Sequence, residues 1–77
     1  MNKYIATFHS HFGATLYFQA LKKQGVAAKL APVPRKVSAS CGTCVYYDHA
    51  TAIELEDCEL DAVFLEEDGN LECVLKR

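Results

Sequence analysis

"KYIATFHSHFGATLYFQALKKQGVAAKLAPV", residues 3–33, changes its hydrophobic period twice within one short run. Tyr4, Ala6 and Phe8 alternate with Ile5 and Thr7, which reads as a buried strand. Ser10 then suits a helix N-cap. Beyond it Phe12, Leu16, Ala20 and Leu21 recur at helical spacing, and Gly25 supplies a C-terminal stop. Residues 11–24 are therefore expected to form an amphipathic helix. A second strand follows in "VAAKLAPV" and is closed off by Pro32 and Pro34. A strand, a helix and a strand in so short a span predict a crossover unit whose two strands point the same way.

Outward from that unit, "CVYYD" (residues 44–48) is rich in β-branched and aromatic residues and reads as a third strand. A short helix is expected over about 50–58. The segment "LDAVFLEEDGNLECVLK" reads as a β-hairpin, because Asp68-Gly69 is a strong two-residue turn signal. The core face of its last strand is expected to hold Leu71, Cys73 and Leu75. This order predicts an α+β fold, a ferredoxin-like two-layer sandwich (β-α-β-β-α-β) with an additional C-terminal strand forming a hairpin. Residues 1–77 are expected to be a single small domain.

A chain of 77 residues buries only about 60% of its unfolded surface, so pairing as a homodimer would add needed stability. Its apolar fraction, 51%, is ample for a packed core and argues against disorder. No apolar run reaches the roughly 20 residues of a membrane span, and "MNKYIATF" lacks the layout of a signal peptide. The expectation is a cytoplasmic protein with no membrane partner. Thiols stay reduced there, so the four cysteines do not read as a structural disulfide framework. The net charge of −2 hides an asymmetry: all ten acids lie between Asp48 and Glu72. Lys3, Lys22, Lys23, Lys29, Arg35 and Lys36 thus give the first half a positive field toward an anion, an acidic partner or the acidic half of another copy.

The parallel relation of the first two strands has a chemical consequence. The turn "HSHFG" and the loop "PVPRKVSASCG" leave the same end of the sheet. That end is expected to gather Cys41 with His9, His11, Gly13 and the helix N-terminus. The helix end, Arg35, Lys36 and a histidine donor would all favour thiolate over thiol and activate Cys41 as a nucleophile. Gly13, without a Cβ, would allow close approach of a ligand to the backbone, or equally tight packing on the sheet. The Cys41-x-x-Cys44 spacing alone leaves several chemistries open: a reversible disulfide, half of a metal site, a sulfur-carrying thiolate, or two small residues filling space.

"YIATFHSHFGATLYFQALKKQGVAAKLAPVPRKVSASCG" resembles an uncharacterised bacterial family of selenium/sulfur (Se/S) carrier-like proteins. The shared marks are the first strand, the "HS…GA" helix start, the Pro34-Arg35 pair and the Cys41-Gly42 pair, over about residues 4–45. Ala39 stands where the family usually has serine, Cys44 replaces an aliphatic residue, and the acidic hairpin differs from the usual ending. The resemblance implies a carrier rather than an enzyme, holding a persulfide on Cys41. A cysteine desulfurase or other selenium/sulfur-relay protein would be its partner, and Cys44 would release the cargo by closing a disulfide.

Three alternatives stand beside it. A thioredoxin-like redox module would use the same Cys-x-x-Cys, although there the motif opens a helix and here "CVYYD" continues as a strand. Structural zinc normally takes two close ligand pairs, and Cys41 and Cys44 form only one; Cys58, Cys73 and His49 stand singly. No metal or other cofactor is therefore expected. A non-catalytic interaction module is the third alternative. Nucleic acid is disfavoured as a partner, because no "G-F-x-F" run offers rings for bases to stack on.

Overall fold

The computed structural model describes residues 2–37, 42–56 and 58–77. The elements run β1 (Asn2–Phe8), α1 (His11–Lys23), β2 (Ala28–Pro32), β3 (Thr43–His49), β4 (Leu60–Glu67) and β5 (Asn70–Lys76). They build one five-stranded sheet in the order β2-β3-β1-β4-β5, with every neighbouring pair antiparallel. β1 and β2 both run antiparallel to β3 between them, so they share a direction, as the crossover unit requires.

Helix α1 begins where Ser10 caps it, the hydroxyl oxygen accepting from the Gly13 amide at 3.1 Å. It ends at Gly25, which adopts φ 79° while Val26 donates back to the Leu21 carbonyl at 3.0 Å. Its inner face puts Ala14, Tyr17 and Leu21 on Tyr4, Ala6, Phe8, Val45, Tyr47 and Val63 of the sheet. The Asp68-Gly69 turn forms as expected, with both residues at positive φ, and β4 pairs antiparallel with β5.

Two expectations fail. The helix over 50–58 is absent; α1 is the one helix among the described residues, so the β-α-β-β-α-β order is not formed. The cause lies in two core tyrosines. Tyr47 OH accepts the Ile53 N–H at 2.9 Å, and Tyr17 OH donates to the Ile53 carbonyl at 2.6 Å. A helix would need both Ile53 groups for its own i→i−4 ladder, and here they belong to side chains. The segment stays irregular yet fills the second helix's place: Ala52, Ile53 and Leu55 pack against the core.

The second failure is in β5. A register shift between Val63 and Phe64 inserts an extra residue before Leu75. Leu71 and Leu75 remain half-buried, but Cys73 is exposed and faces no core.

Candidate functional site

The end of the sheet where β1 and β2 finish is assembled by α1, β3 and β4. His11 opens the helix, and its Nδ1 lies 3.1 Å from Thr43 Oγ1 at the start of β3. Val33 N donates to Gly42 O at 3.0 Å, extending the β2–β3 ladder by one step. The two ends of the loop thus meet beside the helix start, as the parallel strands predicted. Cys41 itself, with Ser38, Ala39 and Ser40, lies outside the described residues.

Part of that loop runs back along the sheet. Lys36 Nζ donates to Gly69 O at 3.0 Å, in the turn at the far end of the sheet. Val37 is buried yet belongs to no part of the helix-side core. Strand side chains alternate between faces, and Ile5, Thr7, Cys44 and Ala62 are buried on the face that α1 does not cover. Lys36 and Val37 therefore lie across this second face.

Cys44 is accordingly no loop thiol. It sits on β3 opposite Thr7, fully buried, with Sγ 3.6 Å from the Pro32 carbonyl oxygen. Burial pushes its pKa up to about 11, and a hydrogen bond with Tyr46 only partly opposes this. At neutral pH the group is a thiol and a poor nucleophile.

The other expected site residues separate in the same way. Gly13 is buried, and a Cβ there would run into the Cys58 carbonyl. The glycine lets the first turn of α1 press on the chain before β4, so this space is filled by the protein itself. Arg35 is exposed in the turn after Pro34, and Gly42 is exposed at the loop's return. His49 sits on its own turn, with Nδ1 3.1 Å from Thr51 O. Among the described residues no group of three His, Cys, Asp or Glu side chains is placed to hold a metal ion.

Two carboxylates at this end were missed in the sequence. Glu59 takes up φ 52°, uncommon for a residue with a Cβ, which turns its carbonyl onto His9 N at 2.9 Å. Its carboxylate accepts from Ser10 Oγ at 2.6 Å, so an acid of the chain already stands at the helix N-terminus. Asp61 is buried beside a register shift between Thr7 and Phe8 and accepts from Thr7 Oγ1 at 3.5 Å and Lys76 Nζ at 3.3 Å. His9 Nε2 lies 3.7 Å from the same carboxylate. The signal was available: a strand antiparallel to β1 and beside it must begin where β1 ends, which carries Glu59 and Asp61 to His9 and Ser10.

A shallow depression of about 320 Å³ on the second face lies at the opposite end, among Lys3, Ile5, Lys29, Tyr46, Asp48 and Glu66. Its charges are of both signs. No helix among the described residues is long and apolar enough to cross a membrane.

Fold and site together define a small α+β domain that brackets a cysteine-bearing loop between a helix start and two strand ends. The chain belongs to the family described as "Putative Se/S carrier protein-like", whose model matches residues 3–63. No curated protein and no solved structure matches it.

Proposed function

We propose that this protein carries sulfane sulfur, or its selenium equivalent, as a persulfide on Cys41. The observation that supports this best is the family match, which runs from Lys3 in β1 through α1, β2, the loop and β3. In the loading step the Cys41 thiolate attacks the terminal sulfur of a donor protein's persulfide. A new S–S bond forms on Cys41, the donor's S–S bond breaks, and the donor cysteine leaves as a thiolate. Delivery repeats the exchange, with an acceptor nucleophile taking the terminal sulfur and Cys41 leaving. No net oxidant is needed in either step.

The burial and raised pKa of Cys44 weigh against the part first expected of it, release of the cargo by closing a disulfide. A disulfide with Cys41 would require a buried, neutral thiol to leave β3 and lose its proton. Cys44 is better suited to closing the second face under the loop than to discharging cargo.

The test is loading with a cysteine desulfurase and cysteine. Intact mass should rise by one sulfur atom, and peptide mapping should find it on Cys41. Cys41→Ser should abolish loading, since a hydroxyl is hardly ionised at neutral pH, whereas Cys44→Ser should still load. Zinc that copurifies and is lost from both variants together would replace the carrier reading with a metal site.

A further inference from the structure

The most exposed large apolar side chain of the described residues is Phe12, with 68% of its surface open. It stands in the first turn of α1, next to His11, whose ring meets Thr43 at 3.1 Å. A single exposed aromatic needs no explanation by itself. Its surroundings are what distinguish this one. Ser10 is tied to Glu59 by a 2.6 Å hydrogen bond, His11 to Thr43, and Gly13 is pressed on the Cys58 carbonyl. The backbone around Phe12 is thus held on two sides, by the start of β3 through His11 and by the segment before β4 through Ser10 and Gly13. A side chain displayed on rigid backbone loses little entropy when a partner covers it.

Resting on the carrier reading, geometry then names the partner. Sulfur passes between two proteins only when their sulfur atoms come into bonding contact, so the donor must cover the end of the sheet bearing Gly42 and Thr43. Phe12 adjoins Thr43 through His11. We infer that Phe12 is the docking anchor for the sulfur-donating enzyme, its ring entering an apolar recess beside the donor's persulfide cysteine. Buried aromatic anchors dominate the energetics of such contacts.

The test uses the full chain, a cysteine desulfurase and cysteine, with the loading rate measured against carrier concentration. Phe12→Ala should raise KM by about tenfold or more, the loss typical of an aromatic hot spot, and leave the rate at saturation little changed. Alkylation of Cys41 by iodoacetamide and thermal unfolding should both match the wild type, because the ring contributes little to the fold. Val74→Ala removes the other exposed large apolar side chain among the described residues, on β5, and should load normally. Equal KM values for wild type and Phe12→Ala overturn the docking inference and leave the carrier reading standing. An equal loss in Val74→Ala also overturns it, since the effect would then belong to surface apolarity in general. Failure of the wild type to load removes the carrier reading, and the docking inference falls with it.

Discussion

Cys44 shows how far a residue's chemistry depends on the strand and face that hold it. As letters, Cys41 and Cys44 are a matched pair. In the fold, Cys44 is a β3 residue, buried against Pro32, with its thiol pushed up to about 11 from 9.0. The native state therefore keeps a proton that the unfolded chain releases at lower pH, and stability must fall as pH rises across that interval. Denaturant unfolding should show a full contribution below about pH 9 and a loss between 9 and 11. Other groups also titrate in alkali, so the quantity to compare is wild type minus Cys44→Ala. That difference should change over this interval; a difference independent of pH would remove the assignment. His11 was legible as a neighbour of the loop's return because strand direction puts the helix start there, whereas His9 turns to Glu59 and Asp61 on the β4 side. The burial of Cys44 was not legible, since it depends on the face of β3 that α1 leaves uncovered being covered in turn, and nothing in "PRKVSAS" announces that.

At the scale of elements, periodicity and the Asp68-Gly69 turn located five strands and a helix within one or two residues, because each had an apolar face to bury. The segment over 50–58 misled for a physical reason. Its apolar residues do pack on the core, but backbone pairing is decided by Tyr17 and Tyr47, far away in sequence. Burial holds the Tyr17 hydroxyl far above its ordinary pKa, with Tyr47's hydroxyl adding to the effect, so it remains a neutral donor. Tyr17→Phe keeps the ring packing on Phe8 and Tyr47 and deletes only the peg to the Ile53 carbonyl. A cost of roughly 1–2 kcal/mol follows from leaving that carbonyl without its partner. Amide hydrogen exchange should accelerate over residues 50–56 while β1 and β3 stay protected. Uniform acceleration throughout the chain would show that the hydroxyl supports the whole core rather than this segment.

Across the whole molecule, the family match ends at residue 63, inside β4, so the rest of β4 and all of β5 lie beyond it. β5 shields β4, whose "LDAVFL" would otherwise form a long apolar sheet edge. Its own outer edge is blunted by Glu72, Lys76 and the register shift at Val63. A chain stopped after Glu67 should therefore pair or aggregate through β4, seen as an early peak in size-exclusion chromatography. A monomeric product would mean that β5 is not needed as a cover.

The hydrogen bond from Val33 to the Gly42 carbonyl has an evolutionary meaning. It closes the β2–β3 hairpin below residues 34–41, so the span that holds Cys41 in the sequence is inserted into a sheet whose register is complete without it. Substitutions, or a different length, within that span would leave the pairing of β2 with β3 in place. Selection could then alter the chemistry of the loop and the scaffold separately, as rigid frameworks with variable loops allow. The limit on that freedom is Val37, whose side chain is buried and could not be exchanged for a charged one without cost.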